Sequence, residues 1–150
     1  MPSGGQRRPP ELRRSWLFIG GADEAQLAAG PESGADVLIQ ELEDFTAPER
    51  RPFARGLASE LYSAWRTAGA VAAVRVNPLA GDGRADLEAA MAGAPDCVLL
   101  PKVEGPEQAS WRRATAWRRA RRSWCPMSRA RAACASLTRS RAPARGSSAA

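Results

Sequence analysis

An α/β fold built on a parallel sheet is predicted by two observations. Four short apolar runs alternate with helical segments roughly every twenty to thirty residues, the rhythm of βαβ units. The runs are almost continuously apolar, as strands buried on both faces are. The 150 residues suffice for one ordinary domain, whereas a closed (β/α) barrel takes about 250. From the pattern alone, an open doubly wound sheet and half of a barrel are both compatible with the chain.

The elements follow in order. Residues 1–13 are polar and Pro-rich and read as a disordered lead. No apolar stretch follows their arginines, so a secretory signal is not expected. Trp16 to Ile19 is the first run, and it stops at Gly20 and Gly21. Asp23 to Ala29 gives one or two helical turns before Pro31 interrupts. Val37 to Ile39 is the second run; it continues to Leu42 and ends in Glu43 and Asp44. Thr46, Pro48 and Glu49 then form a helix-start signature, a Thr cap with an early Pro and a Glu three residues on. Phe53, Leu57, Leu61 and Trp65 recur as one apolar helix face, with Pro52 marking a late start or a kink and Gly69 closing the helix. Val71 to Val76 is the third run, carrying Arg75 and followed by Asn77. Asp82 to Met91 is helical in composition, with Leu87 and Met91 on one face. Cys97 to Leu100 is the fourth run and ends in Pro101 and Lys102; Pro106 opens a further helical stretch.

Composition narrows the function classes. Hydrophobic residues are 44% of the chain, but only one Tyr and three Phe are among them, so aliphatic and Ala packing carries the core. No run approaches the length of a membrane span, and no membrane partner is expected. Three cysteines without metal-ligand spacing, and no His, argue against a zinc site and an imidazole base. They point to a reducing, cytoplasmic compartment. The net charge of +6 is unevenly spread: all 16 acidic and 11 basic side chains lie in residues 1–110, while the other 11 basic ones, all Arg, lie in 111–150. The body is therefore mildly acidic and the basic excess belongs to the tail.

The chemistry is expected at the carboxyl ends of the strands, where ligands bind in both parallel architectures. Those ends carry Gly20 and Gly21, then Glu43 and Asp44, then Arg75 and Asn77, then Lys102 and Glu104. Two cations and several carboxylates converge on one rim, which suits a small anion. A guanidinium grips a carboxylate through two parallel hydrogen bonds, and nearby acids hold it in place. Taken singly, each of these charges is equally compatible with a solvated loop. Gly20 and Gly21 fit a plain turn as well as a phosphate cradle and lack the spacing of a dinucleotide fingerprint.

Four segments together resemble the HpcH/HpaI aldolase and citrate lyase β-subunit family. Arg14 to Gly21 (RSWLFIGG) resembles its RSxLFVPG opening, and Ser33 to Asp44 (SGADVLIQELED) resembles its second strand, SGADxxILDLED. Val74 to Pro78 (VRVNP) and Leu99 to Glu104 (LLPKVE) match its third and fourth strands. Order and spacing agree over about residues 13–110. The resemblance implies a TIM-type (β/α) barrel, of which residues 14–110 would be the first four β/α units. It implies carbon–carbon lyase chemistry on short carboxylic acids or their CoA thioesters, through an enolate stabilised by Mg²⁺. Arg75 would bind the substrate's carboxylate or carbonyl, Phe18 would line the substrate or thioester site, and Glu43, Asp44 and Lys102 would form the charged network beneath. The family's metal-binding carboxylates lie on later strands, and no segment of this chain matches them. Three departures stand out: Gly20 replaces the Pro of the first turn, Glu41 replaces an Asp, and Phe45 stands where a small residue is usual.

Residues 111–150 do not continue the pattern and read as an Arg-rich tail, disordered or translated out of frame from near Ala109. As an isolated fragment the chain is expected to be a low-activity or inactive lyase. Two other readings compete. Arg pairs at 112–113, 118–119 and 121–122 with Trp111, Trp117 and Trp124 between them could bind nucleic acid, although nucleic acid is not the expected partner. Alternatively, the chain is a non-catalytic piece that completes a barrel with a partner, for example as a homo-oligomer, because a half barrel leaves strand edges open.

Overall fold

The computed structural model describes residues 8–104 and the backbone of residues 123–126. Strands β1 (Trp16–Gly20), β2 (Val37–Glu41), β3 (Val71–Arg75), β4 (Cys97–Leu100) and β5 (Ser123–Pro126) form one sheet in the order β1-β2-β3-β4-β5. Every neighbouring pair is parallel. Helices α1 (Glu24–Ala29), α2 (Arg51–Thr67) and α3 (Gly83–Ala92) fill the crossovers. The strand order never reverses. A doubly wound sheet requires such a reversal, so the winding is that of a TIM-type barrel.

Side-chain alternation sorts the strands into two faces. Ile19, Leu38, Ala72, Val74, Val98 and Leu100 pack with residues of all three helices in one buried cluster. Val37, Ile39, Val71, Ala73, Cys97 and Leu99 form a second cluster on the opposite face, flanked by Trp16 and Phe18. All three helices thus cover the same side, as same-handed crossovers between consecutive strands dictate.

Two helix details differ from the sequence reading. Thr46 does not cap α2. Its hydroxyl donates to the carbonyl of Glu41 and accepts the Gly21 N–H at 2.8 Å, tying the loop after β1 to the loop after β2. A 3-10 turn at Pro48–Arg50 precedes the helix, so Pro52 falls in its first turn, where a missing N–H costs little. The buried stripe of α2 is Ala54, Ala58, Tyr62 and Trp65, while Phe53 is 41% exposed beside the Arg50 guanidinium. Small residues win positions 54 and 58 because the helix lies close to its neighbours there. A Cβ on Gly93 would sit 2.6 Å from the Ala58 carbonyl oxygen.

The fifth strand, Ser123–Pro126, lies within the stretch read as a disordered or out-of-frame tail, and its pairing with β4 departs from disorder for these four residues. Strand pairing requires backbone donors and acceptors in register with β4, and this four-residue segment has no apolar run to announce it. The rest of that tail, with most of its proposed nucleic-acid contacts, lies outside the described residues, as does the stretch from Pro106. The lead is corrected as well for residues 8–13. Pro10–Leu12 form a 3-10 turn, and Arg8 pairs with Asp36 at 2.8 Å. Asp36 also accepts from the N–H groups of Arg14 and Ser15 at 2.8 and 3.2 Å. The anchor is polar, so hydropathy could not reveal it. Among the described residues, no helix is long and apolar enough to cross a membrane.

A polar cluster lies within the helix-facing core. Gln40 is fully buried; its amide N–H₂ donates to the carbonyls of Gly21 (3.1 Å) and Ala54 (2.7 Å), and its carbonyl accepts from the Tyr62 hydroxyl at 2.6 Å. Tyr62→Phe leaves that acceptor dry and unpaired, and chemical denaturation should show a loss of about 1–3 kcal/mol. A loss below about 0.5 kcal/mol would mean that the bond is not formed.

The Asp36 clamp gives a pH signature. The N–H of Arg14 leads the interactions that hold its carboxyl below the ordinary value of 3.8. Its stabilisation is complete above that value and disappears as the pH falls through the lower, folded one. Asp36→Asn should therefore reduce the unfolding midpoint near neutrality, with the gap to the parent closing in strong acid. A gap that is constant from neutral to acid pH would exclude the carboxylate as its source.

Candidate functional site

The register of the sheet builds the site. Gly20, Glu41 and Arg75 are direct neighbours across β1, β2 and β3. Their side-chain parity is that of Phe18, Ile39 and Ala73, so they emerge on the face opposite the helices. Arg75 Nε donates to Glu41 Oε1 at 2.7 Å, the cross-strand contact that adjacent in-register positions allow. Glu41 is fully buried. Its two oxygens also accept the N–H groups of Glu43 (at 2.6 Å) and Phe45, so the chain after β2 folds around this carboxylate.

That fold brings the expected network together. Glu43 Oε2 lies 3.5 Å from Arg75 Nη1, and Asp44 Oδ2 accepts from Arg75 Nη2 at 3.2 Å. Lys102 Nζ reaches Glu43 Oε1 at 2.9 Å. Lys102 stands just past β4 with φ 48°, a left-handed conformation that a side chain other than glycine adopts at a cost. Phe18 and Phe45 place their rings 5.2 and 5.8 Å from the guanidinium carbon. Phe18, Glu43, Asp44, Arg75 and Lys102 therefore meet at one mouth.

The loop carrying Glu43 is held from the helix side too. The Asn77 side chain donates to the Leu42 carbonyl (2.7 Å) and to Asp86 (2.7 Å), and Asp86 accepts from Arg55 at 2.7 Å. Leu42 N–H donates to the Arg75 carbonyl at 3.0 Å. Gly21 closes the other flank. Its N–H donates to the Glu41 carbonyl at 2.9 Å, and a Cβ there would sit 2.7 Å from the same oxygen. The role of Gly21 is close backbone approach, and its N–H is already engaged within the chain.

Electrostatically, three carboxylates face two cations. Burial opposes the charge on Arg75, but the hydrogen bond and charge of Glu41, followed by the charges of Glu43 and Asp44, outweigh it and raise its pKa. Glu43 raises that of Lys102 through a hydrogen bond and its charge. Both cations are charged at every physiological pH. Beside the mouth lies an open groove of about 690 Å³, lined by Phe18, Gly20, Gln26, Phe45, Thr46 and Arg50 among others.

Sequence reasoning missed Glu41 as a site residue and treated it only as a departure from a motif. Its strand parity, shared with Val37 and Ile39, was the available signal. Phe45, noted only as a departure from a small residue, packs its ring beside the guanidinium.

The chain matches the HpcH/HpaI aldolase/citrate lyase family over residues 14–121, past the boundary at 110 that the motifs suggested. It is 37% identical over 105 residues to citrate lyase subunit beta of Escherichia coli, covering 66% of this chain and 33% of that protein. It is 30% identical over 102 residues to mitochondrial citramalyl-CoA lyase of Rattus norvegicus, covering 66% of this chain and 30% of that one. The solved citrate lyase beta subunit of Mycobacterium tuberculosis, complexed with oxaloacetate and magnesium, superposes with a TM-score of 0.58 at 28% identity, covering 77% of this chain and 48% of that one. The chain thus spans about a third of the length of these curated relatives.

The Glu41–Arg75 pair should behave as a coupled unit. Removing one partner of a buried ion pair costs about 3–5 kcal/mol. Glu41→Gln and Arg75→Met should each destabilise on that scale, and the double variant should lose at least about 1 kcal/mol less than the sum of the two. Additive losses in urea unfolding would show that the two charges do not depend on each other.

Proposed function

The chain belongs to the HpcH/HpaI aldolase/citrate lyase family, and from that premise we propose that its mouth anchors the substrate of a carbon–carbon lyase acting on short carboxylic acids or their CoA thioesters. The observation that carries the reading is Arg75, held in register by Glu41 and flanked by Phe18 and Phe45 at the carboxyl end of the sheet. In aldol-type cleavage a hydroxyl gives its proton to a base and becomes a carbonyl, the adjacent carbon–carbon bond breaks, and its electron pair passes to the acyl fragment as an enolate, which then takes up a proton. The contribution assigned to this chain is orientation. Arg75 grips the substrate's carboxylate or carbonyl, Phe18 sets one wall, and Glu43, Asp44 and Lys102 hold the guanidinium and its loop. The groove beside Phe18 and Arg50 has room for a thioester carrier.

The described residues do not fit magnesium. Glu41, Glu43 and Asp44 each contact Arg75, Glu43 also contacts Lys102, and no group of three or more His, Cys, Asp or Glu among the described residues could hold a metal ion. On this reading the chain alone binds substrate-like acids and cleaves them slowly or not at all, in a cytoplasmic setting.

Oxaloacetate titrated into the 150-residue chain should bind with or without magnesium. Arg75→Ala should weaken that binding by at least about tenfold, the loss of a charge-assisted hydrogen bond. Cleavage of a citramalyl-type thioester should be slow or undetectable in both proteins. Oxaloacetate binding that survives Arg75→Ala unchanged would remove the anchor and this reading with it. Thioester cleavage that rises steeply with magnesium would overturn the assignment of low activity.

A further inference from the structure

Arg75 has three acidic neighbours, and they are not equivalent. Glu41 is fully buried and holds two backbone N–H groups besides the guanidinium. Its departure would strand a carboxylate out of water. The Glu43 side chain is 6% exposed and is also fixed by Lys102. The Asp44 side chain is 55% exposed and contacts the guanidinium through one oxygen at 3.2 Å. Water can replace that contact as Asp44 turns outward.

Approach to the guanidinium is similarly restricted. Phe18 and Phe45 lie beside it at aromatic contact distance. Nε is taken by Glu41, and the Nη1 side faces buried Glu43. What remains is the Nη2 edge, where Asp44 sits.

We propose that Asp44 is a built-in surrogate for the ligand: it occupies the Nη2 edge of Arg75 when the mouth is empty and is displaced by the incoming substrate's carboxylate. This rests on the reading of Arg75 as the carboxylate anchor and adds the residue that tunes its affinity. The exchange is one carboxylate for another on the same N–H donors, with no bond made or broken. The displacement costs every carboxylate ligand the same factor in affinity, so only ligands that gain a further contact, such as a second anionic or carbonyl group that recruits Lys102, bind at low concentration. Asp44 therefore sets a common threshold for all anions at this mouth.

The test is a calorimetric titration of malonate, with acetate alongside, into the full chain and into Asp44→Asn, Asp44→Ala and Glu49→Gln. Glu49 is an exposed acid in the turn before α2 and does not line the groove, so its variant controls for loss of charge alone. Removing the competing carboxylate should tighten the binding of both malonate and acetate, malonate by about tenfold in both Asp44 variants. Glu49→Gln should stay within about twofold of the parent. Unchanged or weaker binding in the Asp44 variants, or equal tightening in Glu49→Gln, would refute displacement. If malonate binding to the parent still depends on Arg75 in that case, the anchor stands and only Asp44 loses its role. If malonate binds none of these proteins, or binds equally well after Arg75→Ala, the anchor reading falls together with this one.

Discussion

The charge pair between Glu41 and Arg75 is the constraint around which the mouth is built. Two full charges sit on adjacent parallel strands with little water to screen them. Such a pair is tolerable only if the remaining lone pairs and N–H groups find partners. The chain meets that demand locally. The loop after β2 wraps its own N–H groups onto Glu41, and in doing so delivers Glu43 and Asp44 to the outer edge of the guanidinium. The geometry of the site is thus a consequence of solvating one buried carboxylate with protein.

The scaffold reinforces the same loop from the other side of the sheet. Asp86 on α3 holds Asn77, Asn77 holds Leu42, and Leu42 is bonded to the Arg75 carbonyl. Arg55 on α2 neutralises Asp86 at 2.7 Å. A second polar chain therefore runs from the helices through the strand ends to the mouth. It links helix packing to the position of the guanidinium without any direct contact between them.

Much of this was legible in the sequence, and the misses share a cause. The apolar runs located β1 to β4, and the residues following them named Arg75, Glu43, Asp44 and Lys102 correctly as neighbours in space. Barrel-type winding was not readable from periodicity, because helices on one face or on both give the same alternation of runs. It became evident only from the unbroken strand order. On α2 Trp65 is buried and Leu57 and Leu61 pack against the core as the spacing predicts, but Phe53 is exposed and Ala54, Ala58 and Tyr62 complete the buried stripe, because close approach selects small side chains at 54 and 58 over the more apolar neighbours. Glu41 and Asp36 escaped notice because their importance lies in backbone N–H groups, which no side-chain pattern records. The fifth strand escaped because its pairing draws on β4 and has little local signal of its own.

Gln40 carries a mechanical implication. Its amide is pegged at once to the end of the first strand, to the first half of the long helix and to a tyrosine two turns further along that helix. A helix packed only by alanines and aromatics could slip by a ratchet step along the sheet at modest cost. Here such a slip would break both pegs on the helix together, so the helix is indexed to the strand beneath it. The arginines at its leading end inherit that indexing, and the rim keeps its spacing even if the opposite face of the sheet repacks.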